Sequence, residues 1–139
     1  MKKQEPVSHI MTKHVYTAEL HDKLLDIYEL VRKHHIRHVP IVHSKQLVGI
    51  ISKTDLNRLT FSGMFAGEED ADEAVFDMLT IGQVMSHKPR VVNHTDTIKA
   101  VAEILSTEEF HALPVVDDKG SLVGIVTTTD VIRYLLDQY

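Results

Sequence analysis

The hydrophobic positions of this chain follow two rhythms. Leu24, Ile27, Tyr28 and Val31 recur at the helical period, and so do Ile98, Val101, Ala102 and Leu105. Each set predicts an amphipathic helix with a single apolar stripe. Asp22 and Asp96 stand where these helices open, and a carboxylate there is expected to cap the first free amides. The runs His38-Val39-Pro40-Ile41-Val42, Leu47-Val48-Gly49-Ile50-Ile51, Ala112-Leu113-Pro114-Val115-Val116 and Leu122-Val123-Gly124-Ile125-Val126 are dense in β-branched residues. They predict strands buried on both faces. Short opening helices end at Ile10-Met11 and Val84-Met85, with brief strands near Val15–Ala18 and Val91–Val92. Closing helices begin at Thr54-Asp55 and Thr129-Asp130, the first ending near Leu59 and the second near the chain end.

These elements come in two sets. Met11 matches Met85, Asp22 matches Asp96, Leu24 matches Ile98 and Pro40 matches Pro114, all at an offset of 74 positions. After the turn at Asp117-Asp118-Lys119-Gly120, one residue longer than its counterpart at His43-Ser44-Lys45, the offset becomes 75: Gly49 matches Gly124, Asp55 matches Asp130 and Arg58 matches Arg133. A fixed offset over this length is an internal repeat. The chain is an α/β protein of two βαββα-type copies, residues 1–60 and 81–139, joined by residues 61–80. The joining segment carries Gly63, Gly67 and the acidic run Glu68-Glu69-Asp70-Ala71-Asp72-Glu73, expected to be a solvated linker that becomes helical over Ala74–Leu79.

Composition narrows the function classes. At 139 residues and 43% hydrophobic content, one shared core is expected. A net charge of -5 gives no basic face for nucleic acid or anionic lipid, so neither is expected as a partner. The absence of cysteine excludes disulfides and thiolate metal sites. No apolar run is long enough to span a bilayer, and the expected location is cytoplasmic.

The candidate chemistry lies where a buried strand meets a helix: Ser52-Lys53-Thr54-Asp55 and Thr127-Thr128-Thr129-Asp130. In open α/β sheets ligands bind outside the carboxyl ends of strands, and a carboxylate there can take a vicinal diol in two hydrogen bonds. The plain alternative is helix capping by Thr54 and Thr129, with the aspartate favoured by the helix dipole. The same hydroxyl-x-x-Asp pattern in both copies favours a ligand site. The ten histidines, notably His34-His35-Ile36-Arg37-His38, show no recognised metal-ligand spacing, so no metal is expected. There is no G-x-S-x-G elbow, HExxH helix or Walker lysine, and no enzymatic activity is expected.

The strand, the helix, His-Val-Pro-Ile-Val or Ala-Leu-Pro-Val-Val, and then Leu-Val-Gly-Ile-Ile-Ser-x-x-Asp or Leu-Val-Gly-Ile-Val-Thr-x-x-Asp resemble the cystathionine-β-synthase (CBS) domain, present twice. The resemblance covers nearly the whole chain. It implies a tandem CBS pair packed by its sheets with pseudo-twofold symmetry, two clefts, and a homodimer. It also implies binding of an adenosine derivative (AMP, ADP, ATP or S-adenosylmethionine) that regulates a separate protein, with no required cofactor and no catalytic residues. By the same resemblance, Thr127, Thr129 and Asp130 would serve one cleft with Tyr16, Thr17, Ala18, Ile36, Arg37, His38 and Pro40. Ser52, Thr54 and Asp55 would serve the other with Arg90, Val91, Val92, Phe110, His111, Ala112 and Pro114. Phosphate partners would come from Lys53, Arg58, Lys88 and Arg133, with Arg37 and Arg90. The alternative is a ligand-free dimerisation or docking module that regulates a separate enzyme or transporter.

Overall fold

A computed structural model describes residues 4–60 and 69–139, and side chains throughout these except at 69–72. Gly63 and Gly67 therefore lie outside the described residues. The chain forms two compact units, residues 16–88 (the first unit) and residues 1–15 with 89–139 (the second unit).

In the first unit, β1 (Ala18–Glu19), β2 (His38–His43), β3 (Gln46–Ser52) and β4 (Ser86–His87) form one sheet in the order β1-β2-β3-β4. β1 runs parallel to β2, the two being linked through helix α1 (Leu24–His34), while β2–β3 and β3–β4 are antiparallel. The tight β2–β3 turn places Ser44 and Lys45 at positive φ (50° and 66°), the twist that suits a two-residue hairpin loop. Helices α2 (Lys53–Asn57), α3 (Glu69–Met78) and α4 (Ile81–Val84) complete the unit.

The second unit repeats the plan with β5 (Val92–Asn93), α5 (Ile98–Thr107), β6 (Ala112–Val116), β7 (Leu122–Thr127) and α6 (Thr128–Asp137), in sheet order β5-β6-β7. A 3-10 turn at Val7–His9 leads to a bridge between Thr12 and Ile125.

Each unit buries its own apolar cluster. Leu24, Ile27, Val39, Ile41, Ile51 and Leu56 anchor the first, and Val101, Leu113, Val115 and Val126 anchor the second. In each, the helix stripe lies against the unit's own sheet.

The opening segments trade places. Met85, which opens the second sequence copy, packs over Gly49 of the first unit, and Met11, which opens the first copy, packs over Gly124 of the second. A Cβ at either glycine would also stand 2.9 Å from a backbone oxygen, that of Ser86 or Thr12. The repeated glycine is thus a close-approach site for methionine and backbone.

Three local expectations are corrected. Asp22 and Asp96 do not cap helices: their Oδ2 atoms accept the N–H groups of Glu19 and Asn93 at 2.9 Å, bracing the turn that follows each short strand. The helices begin later, behind Lys23 and Thr97, and the Thr97 hydroxyl accepts the Ala100 N–H at 3.0 Å. The brief first strand covers Ala18–Glu19 rather than Val15–Ala18, because only those residues pair with β2. Lastly, the helix expected over Ala74–Leu79 covers Glu69–Met78 and so takes in part of the acidic run. α3 is held by Phe76, 1% exposed and packed on Tyr28 with ring centroids 4.7 Å apart.

Candidate functional site

In the first unit β3 ends at Ser52, where the chain turns directly into α2. The Ser52 Oγ accepts the Asp55 N–H at 3.1 Å, and Asp55 Oδ2 accepts the Ser52 N–H at 2.9 Å. This reciprocal capping box satisfies two amides that the helix start would leave orphaned. The capping residue is therefore Ser52; Thr54, expected to cap, lies exposed inside the first turn. Two further contacts surround the box. The Lys53 N–H donates to the Arg37 carbonyl at 2.7 Å, tying the turn to the residues before β2, and Asp55 Oδ1 faces the Arg58 guanidinium at 3.9 Å. That arginine side chain is 75% exposed, so the pair is loose and solvent-screened.

Beside this turn lies a cavity of about 630 Å³ lined by Tyr28, Val31, Arg32, His35, Ile36, Arg37, Lys53, Leu56 and Asn57. The volume falls in the range of small-ligand sites. Its walls combine apolar Val31, Ile36 and Leu56 with three permanent cations, Arg32, Arg37 and Lys53, and no carboxylate. Arg32 also sits over the Tyr28 ring, 5.7 Å from its centroid. The cavity forms because α1 ends at His35 in a left-handed conformation (φ 53°), which swings Ile36 and Arg37 across the mouth before β2 begins.

Of the residues singled out from sequence, Ile36, Arg37 and Lys53 thus meet at one cavity. His38 pairs with Ser52 across β2–β3, and Pro40 is buried opposite Ile50. Tyr16 and Thr17 are exposed ahead of β1, with the Tyr16 ring stacked on His34 at 4.1 Å, whereas Ala18 is buried. Lys88 is exposed at positive φ. Arg32 and Asn57 escaped the sequence reading, and His35 was named in it only within the histidine-rich run. Only the placement of the α1 terminus beside α2 brings them in, although Arg32 does lie one helical turn before Ile36.

The second unit repeats the box: the Asp130 N–H donates to Thr127 Oγ1 at 3.2 Å and Asp130 Oδ2 accepts the Thr127 N–H at 2.9 Å. Here too the cap is Thr127 instead of Thr129, which is exposed in the first turn. The Thr128 N–H donates to the His111 carbonyl at 3.0 Å, as Lys53 does to Arg37. Arg90 reaches Glu108 at 3.8 Å, while Arg133 makes no ion pair among the described residues. Val91 is 39% exposed, Val92 is buried in β5, Phe110 packs against the second core, and Ala112 and Pro114 are buried in β6.

Two units, each a mixed sheet flanked by helices with a hydroxyl-x-x-Asp box where a strand becomes a helix, define a tandem α/β module. The CBS domain family matches residues 7–61 and 81–137, and the chain belongs to that family. The chain is 29% identical to the uncharacterised protein MJ1225 of Methanocaldococcus jannaschii over 94% of its own length and 47% of that protein's. It is 32% identical to the uncharacterised protein MJ0188 of the same organism, over 95% of its own length and 44% of that protein's. It therefore spans about half the length of these relatives. The crystal structure of CBSX2 from Arabidopsis thaliana superposes with a TM-score of 0.84 at 26% identity, covering 96% of both chains. The CBS domain pair of protein MJ0100, in complex with 5′-methylthioadenosine and S-adenosyl-L-methionine, superposes at 0.78 with 27% identity, covering 96% of this chain and 98% of that one. Some relatives are enzymes by name, among them an inosine-5′-monophosphate dehydrogenase from Korarchaeum cryptofilum, but this chain matches only 21% of its length. Among the described residues no helix is long and apolar enough to cross a membrane.

Proposed function

We propose that the chain is a regulatory module that binds an adenosine derivative and performs no chemistry on it. The observation that carries this reading is the cavity of about 630 Å³ beside the Ser52–Asp55 box, lined by Arg32, Arg37 and Lys53 without an opposing acid. Apolar side chains there suit a purine face, the cations suit phosphate, and the Asp55 and Asp130 carboxylates retain oxygen lone pairs for ribose hydroxyls. The cationic lining favours AMP, ADP or ATP in the first unit over S-adenosylmethionine, whose sulfonium is itself a cation. Complexes of similar proteins support the ligand class: CBSX2 has been crystallised with AMP, and MJ0100 with S-adenosyl-L-methionine.

The output is regulation of a separate cytoplasmic protein by a homodimer of this chain. Helix α6 offers the surface, because Ile132, Leu135 and Leu136 are 52%, 41% and 67% exposed. A ligand shifts such an assembly only to the extent that it binds one form better.

The test is a thermal-shift screen of the full chain against AMP, ADP, ATP, S-adenosylmethionine and 5′-methylthioadenosine. Ligand at 100 times its Kd stabilises the fold by about 2.7 kcal/mol. A rise selective for phosphate-bearing ligands, reduced by Asp55→Ala or Asp130→Ala, is expected. A flat response to every adenosine derivative overturns the sensor and leaves the exposed α6 face to argue for a ligand-free docking module.

A further inference from the structure

We infer that Glu19, His21 and His43 form a binding site for a divalent transition-metal ion of the zinc type, on the edge of the first unit. One ligand atom from each of these residues lies within 4.8 Å of the other two, and among the described residues this is the one such set. His43 Nδ1 and Glu19 Oε1 are 2.7 Å apart, and the His21 and His43 rings meet edge to face with centroids 5.1 Å apart. Zinc holds nitrogen and oxygen ligands at about 2.0–2.2 Å, which sets tetrahedral neighbours about 3.3–3.5 Å apart. The Glu19–His43 pair must open by about 0.6–0.8 Å and any wider pair close by up to about 1.5 Å, adjustments within side-chain rotation for residues whose backbones are already fixed. Two imidazoles and one carboxylate suit zinc-like ions, while magnesium and calcium prefer oxygen alone.

The backbone holds the three residues in place. Glu19 lies on β1, registered against Val42, so that His43 arrives beside it on the neighbouring strand. His21 sits in the turn that Asp22 braces from both sides: Asp22 Oδ2 accepts the Glu19 N–H and the Asp22 N–H donates to the Glu19 carbonyl, each at 2.9 Å.

The second unit supplies an internal control. Asp96 braces the equivalent turn through Asn93 at the same 2.9 Å, so the frame is common to both. The side chains on it differ: Asn93, Thr95 and Asp117 stand where Glu19, His21 and His43 stand. There Asn93 Oδ1 takes both the N–H and the hydroxyl of Thr95, at 3.0 and 2.7 Å, and Asn93 Nδ2 donates to Asp118 at 3.0 Å. That arrangement consumes its polar groups internally. The first unit carries a ligand set on the same frame: Glu19 and His43 meet at 2.7 Å, yet their side chains are 43% and 44% exposed, so an ion can reach them and take the place of that contact.

The experiment is calorimetric titration of the full chain with zinc chloride, with magnesium chloride as a control, followed by the visible spectrum of the cobalt(II) form. One saturable zinc per chain and no magnesium heat are expected. Glu19→Asn with His21→Thr installs residues that the equivalent positions of the second unit already carry, so folding is preserved and checked by circular dichroism. Losing an outer-shell partner alone costs 10–100-fold in affinity at metal sites. This double variant, and His43→Ala separately, should therefore weaken zinc binding by at least about tenfold and abolish the cobalt(II) bands. His14→Ala and His94→Ala should leave both unchanged. Absence of saturable zinc binding in the wild type, or undiminished binding in the double variant, overturns the site.

Discussion

The two units are built on one backbone and carry different chemistry. Each has an aspartate bracing the turn after its short parallel strand, a glycine under a methionine, and a hydroxyl-x-x-Asp box whose two hydrogen bonds agree between units within 0.1 Å. These shared features all fix backbone. The differences sit on side chains that the frame presents: Lys53 against Thr128, Arg37 against His111, and Glu19 and His21 against Asn93 and Thr95. Folding requirements have kept the copies alike where N–H groups must be satisfied or backbones meet closely, leaving the exposed positions to diverge. The cores differ too: Tyr28 of the first packs on Phe76 of α3, whereas Ala102 stands at the equivalent position beside the second.

The largest expected effect breaks that core asymmetry. Phe76→Ala removes a side chain 1% exposed, and should cost about 3–5 kcal/mol by chemical denaturation. Were α3 only a linker, the loss would stay below 1 kcal/mol. Next come Gly49→Ala and Gly124→Ala. Each drives a methyl group to 2.9 Å from a backbone oxygen and onto a methionine side chain. About 1–3 kcal/mol is expected for each, and of similar size in both units. A marked inequality between the two melting curves would show that the methionine contact is not the same device twice.

The repeat made most of this frame legible before any coordinates. β-branched runs located the hairpins, and the stripes Leu24–Val31 and Ile98–Leu105 located α1 and α5, because burial imposes the period directly. Hydrogen bonds of short reach were harder to read. Asp22 and Ser52 both precede helices, yet one braces the preceding turn and the other caps, a choice made by backbone torsions that residue type does not specify. Phe76 is the one buried residue among the described side chains of α3, so it leaves no periodic trace. The offset of 74 paired Met11 with Met85, but that each would lie over the glycine of the opposite copy depends on long-range packing. Around the cavity, Lys53 stood out in sequence from its place where a strand meets a helix, and Arg37 came from the family resemblance alone. Arg32 came from neither, since it enters only because the end of α1 lies beside α2.

A smaller effect tests the box itself. Ser52→Ala and Thr127→Ala each remove a hydroxyl that accepts a helix amide, so a loss of about 1 kcal/mol is expected at each, measured by chemical denaturation. Equal losses would place the box in the common frame; a loss in one unit alone would assign it to that unit's particular chemistry.

The smallest effect sharpens the comparison most, because it concerns binding and leaves the frame intact. Lys53→Thr gives the first unit the residue that the second carries as Thr128. The main-chain bond from position 53 to the Arg37 carbonyl uses only backbone and survives, so stability should change little. Lys53 is exposed, and an exposed charge pair contributes about 0.2–1 kcal/mol, or up to about fivefold in affinity. Calorimetric titration should therefore show ATP or AMP binding weakened by about two- to fivefold, with 5′-methylthioadenosine, which has no phosphate, unaffected. The reverse change, Thr128→Lys, should not transfer the preference, because His111 stands in place of Arg37 and gives no second permanent cation. Equal weakening of both ligands would mean that Lys53 acts on the shape of the cavity. No weakening of either would place phosphate recognition on Arg32 and Arg37 alone.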